Sequence, residues 1–251
     1  MKTAILFLSI LALSCTVCAQ QKGKKPSGKV VDAGSFGIFV NGKRIGTETF
    51  RIEDRGEISV ANSQIKVDDG NQKAEQTSEM HITPKGELRL YSWKSLGPVK
   101  EESVVEPKDE FLIQHVTPAD FKKQDVPYIL PLSTVVLDDN FFSHREILVW
   151  RYLATGCMRK NEQLECSPSH FGVLVPRQHT ASSANMELVG TEKIKVAGVD
   201  QELNKIKLDA DGVLWVLWVD DQYKVVRMSV PAGNVEVVRD AEAQPAQRAH
   251  P

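Results

Sequence analysis

The sequence VLWVLWV, residues 213–219, contains no polar side chain and lies between Gly212 and the pair Asp220-Asp221. Seven residues are too few to cross a membrane as a helix, which takes about 20. A short apolar run between turn residues is typical of a β-strand that is buried on both faces. The run therefore predicts a curved sheet whose second face is covered by a helix or by a bound lipophile.

The chain on either side of this run has the pattern of an antiparallel sheet. In GIFVNGKRIGTETFRIE, residues 37–53, apolar positions recur on both sides of Asn41-Gly42, a pair that favours a type I′ hairpin turn because both residues accept positive φ. Sustained alternation of strands with helices is absent, so a parallel sheet is not expected. Further strands are predicted at residues 58–67, 73–82, 88–95, 99–105, 111–116, 171–175, 185–196, 203–208, 223–230 and 235–238.

One segment, LDDNFFSHREILVWRYLATG at residues 137–156, departs from this pattern. Its apolar residues cover nearly the full circumference of a helix, which indicates a buried helix, with a bent pair of strands as the alternative. Asp138, Asp139 and Asn140 are N-cap candidates, and Gly156 is suited to end the helix. The predicted fold class is mostly β, an antiparallel half-open β-barrel with one internal helix.

Residues 1–19 have the features of a secretory signal peptide. Lys2 precedes an apolar stretch, and Val17 and Ala19 occupy the −3 and −1 positions of a cut before Gln20. Lipid attachment at Cys15 or Cys18 is the alternative, which the residues ahead of each cysteine disfavour. We expect a periplasmic or secreted protein.

The mature chain is expected to contain one folded domain. Residues 20–33 read as a flexible linker, residues 34–240 as the half-barrel, and residues 241–251 as a disordered tail. The formal net charge is −2, and loss of Lys2 with the signal peptide makes it −3, from 30 basic and 33 acidic residues. This balance lacks the clustered basic face of a nucleic-acid partner. The linker lysines leave contact with anionic lipid as an alternative. We expect neither nucleic-acid binding nor integration into a membrane.

The remaining cysteines, Cys157 and Cys166, flank a polar stretch of eight residues. In an exported protein such a pair predicts a disulfide that closes a local loop. A metal site is not expected, because the histidines are scattered and no second cysteine pair completes a tetrahedral set. No cofactor is expected either.

Sequence signs of catalysis are weak. GxSxG and HExxH are absent, and the acidic pairs at Asp68, Asp138 and Asp220 fall at turns or at the start of the helix, where aspartate bonds its own backbone. His144 is expected on the helix surface or near its cap. We therefore expect a protein without enzymatic activity.

Large apolar side chains are the remaining candidates for a function. They could line a cavity that accepts a lipid, or they could form the core, and the sequence leaves both open. Arg227 is suited to pair with an acid of the protein or with the anionic head of a ligand. The candidate cavity residues are Trp150, Trp215, Leu217, Trp218 and Arg227.

Two hairpins resemble those of a family of exported bacterial proteins of unknown function, whose domain is similar to the half-open barrel of the lipoprotein-localisation carriers. The first contains Gly42 and the pair Ile45-Gly46; the second, LWVLWVDDQYKVVRMSV, contains Trp218, Asp221 and Arg227. The sequence departs from the family where a proline often precedes the Val-Arg pair, since Val225 and Val226 occupy those places. The resemblance implies a twisted sheet around a hydrophobic concavity that helical material closes. It implies no catalytic residue.

Three functions are ranked from these features. The first is non-enzymatic binding or carrying of a hydrophobic ligand, such as a lipid or an acylated partner. The second is a structural or assembly factor of the cell envelope that docks a partner protein through a sheet edge. The third is an enzyme of hydrolase type.

Overall fold

The computed structural model describes residues 28–70, 73–97, 100–118, 122–138, 140–161, 163–196 and 198–241. The predicted signal peptide, linker residues 20–27, Asp139 and tail residues 242–251 lie outside the described residues. Helix α1 spans Ser143–Gly156, and two short 3-10 helices span Pro176–Gln178 and Pro231–Gly233. The strands are β1 (Lys29–Val40), β2 (Lys43–Asp54), β3 (Ser59–Asp68), β4 (Lys73–Ile82), β5 (Leu88–Ser95), β6 (Glu101–Lys108), β7 (Phe111–Pro118), β8 (Gln124–Tyr128), β9 (Val135–Val136), β10 (Cys157–Lys160), β11 (Gln163–Cys166), β12 (Ser169–Val175), β13 (Thr180–Val196), β14 (Val199–Ala210), β15 (Val213–Val219), β16 (Val225–Val230) and β17 (Val235–Arg239).

Fifteen of these strands form one sheet, in the order β8-β7-β6-β5-β4-β3-β2-β1-β17-β16-β15-β14-β13-β12-β9. Neighbours pair antiparallel except β9 and β12, which are parallel. The two edge strands are not paired with each other, but Gln114 on β7 donates a hydrogen bond to the carbonyl of Pro176, just after β12, at 2.7 Å. The sheet is therefore a half-open barrel, as predicted.

The turn between β1 and β2 has the predicted type I′ character. Asn41 and Gly42 have φ values of 50° and 76°, and β1 pairs with β2 along its whole length. The backbone N–H of Asn41 also donates to the carbonyl of Asn234 at 3.0 Å. This bond joins the β1–β2 hairpin to the turn between β16 and β17. The first and last strands of the chain, β1 and β17, are also paired with each other in the middle of the sheet.

Helix α1 lies against the inner face of the sheet, where Leu148, Val149 and Tyr152 have 0% exposure. This confirms the predicted buried helix. Its N-cap position is Phe142, which has no side-chain capping bond. The expectation that Asp138 or Asn140 caps the helix is wrong, because a side chain from a distant strand binds the first N–H groups instead.

Strand β15 is VLWVLWV, and its second half is covered on both faces as predicted. Leu217 and Val219 belong to the main core around α1. Val216 and Trp218 belong to a second cluster on the outer face, with Val196 and Leu203 from the β13–β14 hairpin and Val226. The first two residues, Val213 and Leu214, are 43% and 46% exposed.

Several boundaries differ from the predictions. Residues 29–33 were assigned to the linker, but they belong to β1, and Asp32 pairs with Ile52 of β2. Pro107 lies outside the predicted strand 99–105, but it belongs to β6. Strands β8, β9, β10 and β11 were not predicted, because each contains at most two apolar residues, too few to show an alternating period.

The Cys157–Cys166 disulfide is confirmed. The two cysteines lie directly opposite each other in the β10–β11 hairpin, which follows the last residue of α1. The backbone N–H of Ser167 donates to the carbonyl of Gly156 at 2.9 Å, on the far side of the bridge. The hairpin is therefore attached at its base to the end of the helix.

We predict that reduction of the disulfide lowers the free energy of unfolding by about 2–3 kcal/mol, because the bridge restricts the unfolded chain. Urea denaturation of the protein with and without a reductant measures this change. The Cys157→Ala/Cys166→Ala double variant is the control and should show no response to the reductant. An unreduced intact mass equal to that of the reduced protein would contradict the assignment of the bridge.

Candidate functional site

The first N–H groups of α1 are bound by Glu48, a fully buried residue of β2. Its carboxylate accepts hydrogen bonds from the backbone N–H of Phe142 at 2.6 Å and from the hydroxyl of Ser143 at 2.7 Å. The hydroxyl of Ser63 donates a short hydrogen bond to the same carboxylate. Burial raises the pKa of Glu48, and the bonds from Ser63, Ser143 and Phe142 offset part of that rise. Glu48 therefore does what an N-cap side chain does in other helices.

One turn further along α1, Glu146 joins a buried ionic cluster. A guanidinium nitrogen of Arg239, Nη2, lies 2.5 Å from Glu146 and 2.9 Å from Asp32, and Lys224 Nζ lies 2.9 Å from the other oxygen of Asp32. Arg239 also lies over the rings of Phe36 and Phe50, at 5.0 and 5.1 Å from their centroids.

The pKa values of the two carboxyl groups of this cluster shift in opposite directions. Burial, together with the neighbouring Asp32, raises the pKa of Glu146 well above its usual value. Burial also acts to raise the pKa of Asp32, but its bonds to Glu146, Lys224 and Arg239 outweigh it and lower that pKa. Of the two carboxyl groups, Glu146 therefore binds a proton more readily than Asp32.

A third group of polar contacts involves Ser78, His144 and Asp138, the residue types of a catalytic triad. In a working triad the aspartate accepts a bond from the Nδ1–H of the histidine. Here Nδ1 of His144 accepts the backbone N–H of Asp138 at 3.3 Å, and the Asp138 carboxylate accepts bonds from Tyr91 at 2.9 Å and from Arg177 at 3.3 Å. All three residues are at most 5% exposed. The arrangement has neither the orientation nor the access of a triad.

The expectation that His144 lies on the helix surface is wrong. The side chain faces the sheet, is 2% exposed, and lies 3.5 Å from the Ser78 hydroxyl through Nε2. Burial lowers the pKa of His144 to about 3, with a smaller contribution from the charge of Arg145. The imidazole is therefore neutral at every pH at which the protein would function.

An open cavity lies at the other end of α1, with a volume of about 380 Å³. We call it the helix-end cavity. Its walls come from the start of β1, the last turns of α1, the β10–β11 hairpin and the turn between β15 and β16. The indole N–H of Trp150 donates to the carbonyl of Tyr223 at 2.7 Å and fixes the ring in the wall. The apolar lining residues include Val31, Trp150, Leu153, Ala154, Met158 and Leu164.

The five predicted cavity residues do not lie together. Trp150 lines the helix-end cavity, whereas Trp215 lines a smaller cavity of about 250 Å³ elsewhere in the barrel. In that smaller cavity the guanidinium of Arg145 lies 3.9 Å from the centroid of the Trp215 ring. Leu217 has 0% exposure and is packed in the main core.

Trp218 and Arg227 line neither of these cavities, because the pleat of β15 and β16 points them to the outer face. The Trp218 indole donates to Glu192 at 2.9 Å. Arg227 forms an ion pair with Glu236 on β17 and lies 5.2 Å from the centroid of the Trp218 ring. The expected internal position of these two residues is therefore wrong, and Arg227 takes the alternative partner, an acid of the protein.

Sequence reasoning missed the contribution of the disulfide hairpin to the cavity. Met158 and Leu164 lie within a stretch that reads as a polar loop, yet both line the cavity. The available signal was their position, since Met158 directly follows Cys157 and Leu164 lies two residues before Cys166.

Among the described residues, no group of three or more histidine, cysteine, aspartate or glutamate residues is placed to hold a metal ion. Within the same ranges, no helix combines the length and the hydropathy that crossing a membrane requires.

Comparisons with known proteins inform the fold. No protein-family model and no curated protein matches the sequence. A solved structure, the beta-barrel-like protein of domain of unknown function DUF1849 from Brucella abortus, is similar with a TM-score of 0.51 and 8% identity, over 83% of this chain and 94% of that chain. The chain thus has the fold of an uncharacterised β-barrel-like protein.

We predict that Glu48→Ala lowers the free energy of unfolding by about 2–3 kcal/mol, because it leaves the N–H groups of Phe142 and Ser143 buried without an acceptor. Glu48→Gln retains an acceptor oxygen, so its free energy of unfolding should fall by less. Glu187→Ala, at an exposed strand position, is the matched control. Chemical denaturation of the three variants measures the effect, and equal losses in Glu48→Ala and the control would contradict the capping role.

We also predict a pH dependence that belongs to His144. The unfolded state binds a proton near pH 6.5 and the folded state only near pH 3, so the stability that the neutral ring contributes is complete above 6.5. It is lost as the pH falls towards 3, by up to about 1.4 kcal/mol per pH unit. Denaturation of the wild type and His144→Gln between pH 7 and 4.5 should show that the difference between their free energies of unfolding becomes smaller as the pH falls. His170→Gln, at an exposed position, should follow the wild type, and parallel curves for His144→Gln would refute the prediction.

Proposed function

We propose that the protein is an exported, non-enzymatic carrier that binds a hydrophobic molecule, such as a lipid or an acyl chain, in the helix-end cavity. The observation that carries this proposal is an open cavity of about 380 Å³ with predominantly apolar walls. That volume falls within the range of small-molecule sites, roughly 300–1,000 Å³. Each methylene that leaves water for such a wall contributes about 0.8 kcal/mol.

The rim of the cavity supports the same proposal. Met158 and Val31 line it and are 68% and 45% exposed, and Val30 beside them is 40% exposed. An apolar rim around an apolar cavity is a surface that a ligand would cover.

The walls are held in place before any ligand binds. The indole of Trp150 is fixed by its bond to Tyr223, the hairpin is closed by the disulfide, and α1 is anchored by Glu146 and Arg239. A preformed site loses less conformational freedom on binding than a mobile one.

Export is part of this proposal. The sequence of residues 1–19 supports it, and so does the disulfide, which is a bond of oxidising compartments. A periplasmic or secreted location would place the cavity where lipids and acylated proteins pass between membranes.

A second candidate function, docking of an envelope protein at a sheet edge, is favoured by Ile129, which is 96% exposed just after edge strand β8. The edge itself argues against it. Strand β8 has five residues, includes Pro127, which has no N–H to donate, and follows Lys122 and Lys123. Short length, proline and lysine are the means by which edge strands avoid pairing.

We predict saturable binding of a fluorescent fatty acid to the exported protein, and lipid in solvent extracts of the protein as purified. Ala154→Trp fills the cavity from an exposed helix position and should weaken the affinity by more than roughly tenfold, because several methylene contacts are lost. Thr155→Trp adds the same bulk one residue further on, outside the lining, and should bind like the wild type.

These measurements distinguish a lipid from a second copy of the chain as the occupant of the cavity. No saturable binding and no extracted lipid would reject the carrier function. A dimer in light scattering that Ala154→Trp dissociates would assign the cavity to a second copy of the chain and would also reject it.

A further inference from the structure

We propose that the ligand of the helix-end cavity is a single-chain amphiphile with an anionic headgroup, a carboxylate or a phosphate, which Lys224 and Arg159 bind. This inference rests on the proposed function and specifies the class of ligand. The observation that supports it is the charge of the cavity lining, in which both charged residues are positive.

The lining contains two cations, Arg159 and Lys224, and no aspartate or glutamate among its described residues. Its other polar groups are neutral. A neutral lipophile would leave Arg159 without a complementary group and would add none to Lys224, whereas an anion would form charge-assisted hydrogen bonds with both.

Lys224 connects the cavity to the buried ionic cluster. Its ammonium lies 2.9 Å from Asp32, but Arg239 lies at the same distance from the second oxygen of that carboxylate. Glu146, the other acid of the cluster, pairs with Arg239 at 2.5 Å. Lys224 thus shares its acidic partner with a second cation, which leaves part of its positive charge available to a ligand in the cavity.

Arg159 lies at the mouth of the cavity, on strand β10. Its guanidinium carbon is 5.9 Å from the ring centroid of Tyr223, the residue next to Lys224. Within the described residues Arg159 has no ion pair, and its side chain is exposed. The contact with Tyr223 brings the two cations towards the same part of the lining.

The apolar part of the lining comes from other elements. Trp150, Leu153 and Ala154 lie on the last turns of α1, and Leu164 lies on the second strand of the disulfide hairpin. A ligand with a charged head and an apolar chain matches this division, because its head would lie near Tyr223 while its chain covers the helix and the hairpin.

The test compares three ligands with the same chain, hexadecanoate, hexadecyl phosphate and 1-hexadecanol, in displacing a neutral fluorescent probe from the full-length exported protein. We expect at least one of the two anions to bind roughly tenfold more tightly than the alcohol at low salt, and added salt to reduce that preference. The tighter of the two anions identifies the headgroup as carboxylate or phosphate.

Three variants assign the preference to residues. Arg159→Gln should weaken binding of the preferred anion several-fold and leave binding of 1-hexadecanol unchanged, which also shows that this variant is folded. Lys224→Gln should lower the ratio of anion affinity to alcohol affinity several-fold, a comparison that allows for the loss of its ion pair with Asp32. Lys160→Gln removes a neighbouring charge of the β10–β11 hairpin that does not line the cavity. It should change binding of neither the anion nor the alcohol.

Two results would overturn the inference while leaving the carrier function intact. One is equal affinity for the alcohol and both anions. The other is an Arg159→Gln variant that weakens all three ligands alike. Failure of all three ligands to displace the probe would reject the carrier function itself, and the headgroup inference with it.

Discussion

A helix that begins inside a β-sheet needs acceptors for its first N–H groups, and in this protein Glu48 supplies them. The residues before α1 offer no side-chain cap, and water is excluded from the place where the helix begins. A carboxylate from β2 binds the N–H groups of Phe142 and Ser143 together with the Ser143 hydroxyl. The position of the helix within the barrel therefore depends on one acid of the sheet.

Further buried polar contacts connect the helix to the sheet and to the cavity. One turn after the capped end, Glu146 is held by Arg239, and Arg239 shares Asp32 with Lys224. Lys224 and Trp150 both line the helix-end cavity. Buried ionic contacts of this kind are weak evidence for net stability, but they need specific partners in a specific geometry. Here they connect the helical wall of the cavity to strands of the sheet.

Local patterns predict the strands well because the period of two and the turn residues are local properties. The strands at residues 73–82, 88–95 and 213–219 were predicted at their observed bounds. The site was harder to predict, because its contacts are long-range. Glu48 and Ser143 are separated by 95 residues, and no local signal marks either of them. In an apolar strand such as β15, the sequence also cannot show which of Leu217 and Trp218 faces inwards.

The double-sided burial of β15 first suggested a ligand, and the structure changes the basis of that argument. Helix α1 covers the inner face of the strand, and the β13–β14 hairpin covers the outer face through Val196 and Leu203. The protein thus covers the second half of this strand by itself, and no guest is needed there. A ligand is instead proposed where the covering ends, beyond the last turn of α1, because there the apolar walls stay open and the charged lining residues are two cations. The proposed function therefore depends less on the strand that defines the fold than on the incomplete covering at the end of the helix.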